Sequence, residues 1–199
     1  MRRKEGDKAT GILNAAIVVF AQDGFDKAQV SAIAHQAGVG TGSIYLYFAG
    51  KDDILHGIFA RFWENLAEDM KSLPQTDPLF RMNDQLGLFF DSLAGNKDLA
   101  KVYLRDHHRF LEAPASTGIA AYRACLELGR KAFVEVAKTS GRKIPTAKTL
   151  DLAQAFLFGG VRAALEFGLE RAMAPAKVKR HMQTMAMASL LAAIEGVES

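Results

Sequence analysis

The stretch VSAIAHQAGVGTGSIYLYFAGK, residues 30–51, decides the architecture of this 199-residue chain. Val30, Ile33, Ala34 and Ala37 fall on one face of a short helix. Gly38 supplies the left-handed backbone that reverses the chain within about three or four residues. Val39 returns to the core, and Ile44 and Phe48 are the next inward positions, four residues apart. Thr41, Gly42, Ser43, Tyr45 and Tyr47 are left pointing outward, and a new helix opens at Lys51. Two short helices across a glycine turn, the second carrying exposed hydroxyls and aromatics, make the layout of a helix-turn-helix that docks in a major groove. Gly42 lets the second helix approach the groove floor. Thr41 and Ser43 suit phosphates or base edges, and the two tyrosines suit phosphates or thymine methyls. Lys51 at a helix N-terminus suits a phosphate. The competing reading, an ordinary helical corner, leaves the outward aromatics beside a glycine turn and a lysine unexplained.

Outward from this stretch, helical signals fill the chain and strand signals are nearly absent. Before it, Ile12, Ala15, Ala16, Val19 and Phe20 make the stripe of a first helix over about 7–22, stopped by Asp23-Gly24. Residues 30–37 and 41–47 are the second and third helices. A fourth starts near Lys51 and runs to about 73, where Pro74 closes it. Further helices are expected over about 79–94, 97–111, 115–139, 147–172 and 176–196, separated by Gly95-Asn96, Pro114, Gly141 with Pro145, and Pro175. The expected fold is therefore all-α, with about nine helices. Residues 1–51 form a three-helix head, joined to a helical body over 52–199.

About half the residues are apolar, 49%, yet no uninterrupted apolar run approaches the roughly 20 residues of a membrane span. A soluble chain with no membrane partner is expected. Arg2, Arg3 and Lys4 before the apolar run at 15–21 imitate a signal peptide. Glu5 and Asp7 dilute that basic region, and the helical stripe favours a core helix. The single cysteine, Cys125, excludes an intramolecular disulfide and fits a reducing cytoplasm, where it reads as a buried structural thiol. The net charge is only +3, so the molecule is no polycation. Residues 1–51 hold six Lys/Arg against four Asp/Glu, a weak positive lean toward the head.

From Ile12 to Leu55 the chain resembles the tetracycline-repressor (TetR) family of bacterial transcription regulators. The resemblance lies in the order and spacing of Phe20, Gly24, Phe25, Ile33, Ala34, Gly38, Val39, Gly42, Ile44, Tyr45, Tyr47, Phe48 and Lys51. It implies a cytoplasmic homodimer whose heads bind a double-stranded DNA operator and whose bodies bind a small effector. It places DNA contacts on Ser31, Thr41, Gly42, Ser43, Tyr45, Tyr47 and Lys51. Three departures stand out. Gln29 replaces a frequent capping threonine, Gly40 a frequent serine, and Tyr47 a frequent histidine. They leave the operator sequence unspecified. The wording GSIYLYF with KDDIL after it further resembles the acyl-CoA-responsive fatty-acid regulators within the family.

The body carries no recognisable catalytic motif, and no cofactor is called for. Asp106-His107-His108 reads as a helix-surface cluster rather than a ligand set, because adjacent helical residues diverge by about 100°. No metal site is assigned. The aromatic wealth of the body suggests an apolar effector pocket. Its expected lining is Phe62, Trp63, Leu66, Phe89, Phe90, Tyr103, His107, Phe110, Tyr122, Leu126 and Phe156, with Arg162 near an anionic group or merely snorkelling. In the last two helices, Ala153, Leu157, Gly160, Ala164, Leu165, Ala186, Leu190 and Ala193 mix small and bulky positions. They are expected either to form a four-helix dimer interface or to close the monomer core. Two alternatives stay open at this point: a DNA-binding regulator with no effector, and a helical-bundle enzyme on the same scaffold.

Overall fold

A computed structural model describes residues 5–75, 77–112 and 118–195, with the side chains of 5–7 and 190–195 excepted. Among the described residues there are nine helices and no strand. They are α1 (Glu5–Asp23), α2 (Val30–Ala37), α3 (Thr41–Ile44), α4 (Lys51–Ser72), α5 (Pro78–Ala94), α6 (Lys97–Leu111), α7 (Ile119–Thr139), α8 (Ala147–Glu170) and α9 (Pro175–Glu195). Local chemistry explains several boundaries. Gly24, at φ 83°, ends α1. The Asp77 carboxylate accepts from the Leu79 amide at 2.9 Å ahead of α5, and Pro78 takes the first turn. The Asn96 carbonyl oxygen accepts from the Leu99 amide at 3.0 Å ahead of α6. Residues 115–117 and 196, expected to be helical, lie outside the described residues.

By packing, the chain forms two compact units, and the division passes through α4 between Glu64 and Asn65. The first unit takes the described residues up to Glu64 and those between Asn96 and Ala120. It thus holds α6 and most of α4 as well as the three helices of the expected head. Inside it α1 packs on α2 and α6, and α2 on α3. The stripe read from the sequence is the core: Ile12, Ala16 and Phe20 are each at most 1% exposed, as are Ile33, Ala34 and Ile44. Fully burying an isoleucine or phenylalanine side chain is worth about 1.5–3 kcal/mol.

A second cluster in the same unit is aromatic. Phe59, Phe62 and Trp63 of α4 meet Tyr103, His107 and Phe110 of α6. The His107 ring lies 4.5 Å from Tyr103, 5.3 Å from Phe59, 5.5 Å from Trp63 and 5.9 Å from Phe110. This corrects the surface reading of 106–108. Asp106 and His107 are buried, and only His108 is exposed. Among the described residues no three His, Cys, Asp or Glu side chains converge as a metal site requires.

The second unit comprises 65–95 and the described residues from Ala121 onward. Within it α5 packs on α8 and α9, and α8 on α9. Met82, Ala132, Phe133, Val136 and Leu150 form a buried core cluster. α8 is unusual. It is long and apolar enough on average to cross a membrane, although only 11% of that stretch is buried. The uninterrupted-run reading overlooked this because Gln154, Arg162 and Glu166 break the run. One such helix is weak evidence for a membrane, since core helices and signal sequences pass the same test of length and composition.

Cys125 is 1% exposed, and burial pushes its thiol up to about 11, with Lys71 opposing. The native state therefore holds this proton more tightly than an unfolded chain, whose thiol titrates near about 8.5. The stability linked to the neutral thiol is fully present below that value and is lost as pH rises toward about 11. Urea unfolding from pH 8 to 11 should show stability falling less steeply in Cys125→Ala than in the wild type. Iodoacetamide should label the native thiol far more slowly than the unfolded one at pH 8.

Candidate nucleic-acid interface

α2 begins after Gln29, whose backbone is extended and whose side chain makes no cap hydrogen bond. The weak cap read from the sequence is therefore present in the structure. Ser31 Oγ approaches Gln29 Oε1 only at 3.5 Å. Gly38 ends α2 at φ 67° and ψ 34°. Its amide donates to the His35 carbonyl at 3.1 Å, and the Val39 amide donates to the Ala34 carbonyl at 3.0 Å. These bonds satisfy orphan carbonyls and turn the chain into α3.

α3 is shorter than expected. It ends at Ile44 instead of reaching Tyr47. The Tyr47 and Phe48 amides both donate to the Ile44 carbonyl at 3.0 Å, which winds 45–47 into a turn. The residues named for DNA contact still gather around this corner. Ser31, Thr41 and Gly42 are exposed, Tyr45 is 57% exposed, and Ser43 and Tyr47 are half-buried. A side chain built on Gly42 would meet nothing within 4 Å. The fold therefore does not require glycine there, and its small size matters only toward an outside surface. Sequence reasoning missed Leu46, which is 81% exposed at the centre of the turn. The wording YLY held the signal, since an apolar side chain between two exposed tyrosines belongs to the same surface and suits a thymine methyl.

Lys51 is placed differently from its expected role. It opens α4, but its ammonium donates to the backbone carbonyls of Phe25 and Asp26, both at 2.9 Å. It also lies 4.8 Å from the centre of the Phe25 ring. α6 approaches the same loop. Arg109 Nη2 donates to both Asp26 carboxylate oxygens at 2.9 and 3.1 Å, and its guanidinium lies 4.7 Å from the Phe25 ring centre. Arg105 Nη2 donates to the Phe20 carbonyl at 2.5 Å, at the end of α1. Arg105 Nε binds the buried Asp106 carboxylate at 2.9 Å. Three cations thus fix the α1–α2 loop beside the corner, an arrangement absent from the sequence reading.

The residues named for an effector pocket divide between the two units. Phe62, Trp63, Tyr103, His107 and Phe110 belong to the aromatic cluster of the first unit, all buried. In the second unit Leu66, Phe89 and Phe90 are buried and Tyr122 and Leu126 half-buried. Phe156 is 60% exposed, and Arg162 is exposed. Burial raises the Tyr122 phenol above its usual value. The second unit holds a cavity of about 50 Å³ lined by Phe89 together with Met70, Met82, Gln85, Leu86, Cys125, Gly129, Arg130, Phe133, Leu150, Gln154, Leu157 and Phe158. Most of these were not singled out from the sequence.

Of the residues named for a dimer face, Leu165 is only 3% exposed and belongs to the core of the second unit. Ala153, Leu157, Ala164 and Ala186 are half-buried and Gly160 exposed. They line two open apolar troughs of about 400 and 300 Å³, and Phe156 lines both. The Leu190 and Ala193 side chains lie outside the described residues.

Residues 12–58 match the family described as bacterial regulatory proteins, tetR family. The fatty acid metabolism regulator protein of Bacillus subtilis (strain 168) is 38% identical over 104 residues, 50% of this chain. The match spans about half that relative's length, 53%. Two solved structures resemble most of the chain. The fatty acid degradation regulator FadR from Bacillus halodurans superposes with a TM-score of 0.75 at 25% identity, covering 93% of this chain and 97% of its own. The regulator FadR from Bacillus subtilis, in complex with stearoyl-CoA, gives 0.72 at 25% identity, covering 89% and 97%.

Replacing Lys51 with methionine should leave two carbonyls without their charged donor. The expected loss of folding stability is about 1–3 kcal/mol, measured by chemical denaturation followed by circular dichroism. An unchanged midpoint would show that the Lys51 bonds do not hold the loop.

Proposed function

We propose that this chain, which belongs to the tetR family of bacterial regulatory proteins through its residues 12–58, is a ligand-responsive transcriptional repressor and not an enzyme. It works in the cytoplasm and binds a palindromic operator as a homodimer. The observation that carries the reading is the corner at 30–47, inside the family match. Ser31, Thr41 and Gly42 are exposed there on helices anchored by fully buried Ile33 and Ile44, and Tyr45 and Leu46 are exposed on the turn that follows. Ser43 and Tyr47 complete the proposed surface. Phosphate contact at the start of α4 falls to its backbone amides as much as to Lys51, whose ammonium is engaged with the loop.

In this reading residues 1–51 read DNA and 52–199 bind the effector and the second copy. Two heads must enter successive major grooves about 34–36 Å apart. α4 is continuous from Lys51 to Ser72, so an effector that favours one position of α4 changes head spacing. Such a ligand must bind the two states with different affinity, typically by about 1–3 kcal/mol. An effector with a long apolar chain is supported by the likeness to a fatty acid metabolism regulator and to a regulator crystallised with stearoyl-CoA. The largely apolar cavity of the second unit agrees with an apolar segment of such an effector. The second copy is supported by the surface of α8 and α9, where Leu152, Phe156, Phe167 and Met185 are 50–73% exposed. Monomeric soluble proteins rarely leave apolar patches of that kind uncovered.

Fluorescence anisotropy should show preference for DNA upstream of the protein's own gene over random DNA, with affinity falling steeply as salt rises. Stearoyl-CoA should release the operator. Equal affinity for random DNA would end the regulator reading. Gly42→Ala should fold normally, since open space awaits its methyl, yet lose roughly tenfold or more in operator affinity by holding α3 off the groove. Phe156→Glu should convert the dimer to a monomer in sedimentation velocity and weaken operator binding with it.

A further inference from the structure

The cavity of the second unit has one polar feature that packing alone does not account for. Its polar lining consists of Gln85, Cys125, Arg130 and Gln154. The Gln154 Nε2 donates to the Leu126 carbonyl, which fixes that carboxamide. Arg130 pairs with Asp151, so its charge is already balanced. Burial keeps the Cys125 thiol protonated at neutral pH, and a neutral thiol is a weak hydrogen-bonding group. Gln85 differs. It is 5% exposed, and its buried Oε1 has no hydrogen-bond partner among the described residues. A buried carboxamide oxygen left without a partner is costly, and each such group in a native protein calls for an explanation, a functional role or a bound polar group among them.

Resting on the reading that 52–199 bind the effector, we propose that this cavity takes a hydroxyl-bearing segment of an apolar effector and that Gln85 is the residue that recognises the hydroxyl. The group must be uncharged, because an anion here would be desolvated with no unbalanced cation to meet it. A hydroxyl both donates and accepts, so it satisfies the Gln85 carboxamide in either orientation of its oxygen and nitrogen. A bare alkyl chain leaves Gln85 without a partner. At about 50 Å³ the cavity holds only a short segment. Met70 and Met82 in its lining, unbranched and adaptable, let it widen around a longer one. Gln85 thus acts on specificity: it selects a hydroxylated chain over the plain chain of the same length.

The test uses the full-length protein and two probes of equal length, 1-hexanol and 1-chlorohexane, with affinities read by isothermal titration calorimetry. The wild type should bind hexanol about tenfold more tightly than chlorohexane, the scale of one buried hydrogen bond. In Gln85→Leu that preference should vanish while chlorohexane binds at least as well as before. The unliganded variant should melt no lower than the wild type, because a buried carbonyl oxygen without a partner has been removed. Gln85→Met serves the same purpose should leucine prevent folding. Equal binding of the two probes by the wild type, or a hexanol preference that survives in Gln85→Leu, overturns the role of Gln85. If stearoyl-CoA still releases the operator in that case, the effector reading stands without it. If neither stearoyl-CoA nor either probe binds the wild type, the effector reading fails as well.

Discussion

Ile44 is the side chain on which the proposed DNA-reading surface depends. α3 contains four residues, too few to persist as an isolated helix, since forming the first turn costs more entropy than its hydrogen bonds return. Ile44, wholly buried, fixes this segment against the core. The same residue's carbonyl accepts the amides of Tyr47 and Phe48 and closes the following turn. The positions of Thr41, Gly42, Tyr45 and Leu46 therefore follow from one buried isoleucine and from the left-handed turn at Gly38 before it. No side-chain cap assists α2 or α3, so packing and these backbone turns set where the exposed groups point.

The α1–α2 loop is held by a different kind of force. Phe25 is nearly buried, and two cations, Lys51 and Arg109, lie within 5 Å of its ring centre. Their hydrogen bonds run to backbone carbonyls and to Asp26, with Arg105 adding the end of α1. These groups come from α4 and α6. The loop beside the recognition corner is thereby tied to two helices far away in sequence, and a shift in either helix is felt at the end of α1.

Much of this was legible in the residues. Period-3.6 stripes and the Gly and Pro breakers locate every helix, with α2 and α6 matching to the residue, because the apolar face and the chain stops are local properties. The end of α3 was not legible. Tyr45 to Tyr47 have helix-like neighbours, and only the bonds to the Ile44 carbonyl show them winding into a turn. The body pocket was read from aromatic content, which says that rings are buried without saying with which partners. Phe59, Trp63 and His107 pack together in the first unit, while the cavity of the second is lined mostly by Met, Leu and Gln. Lys51 illustrates the same limit, since its charge predicts an anion and the structure gives it two carbonyls. Leu46 was passed over although its place between two tyrosines hinted at it, and Gln85 because it looks ordinary in sequence. Exposure distinguishes the first, and a missing partner the second.

The uncovered face of α8 and α9 has a consequence for the life of the chain in a cell. Leu152, Phe156, Phe167 and Met185 stand largely in water on the single copy. If a second copy covers them, folding free energy and protomer concentration are no longer independent. A scarce protein would be less stable per molecule than an abundant one, and each newly made chain would be adhesive until it met its twin. The amount of protein would then set its lifetime, quite apart from any effector.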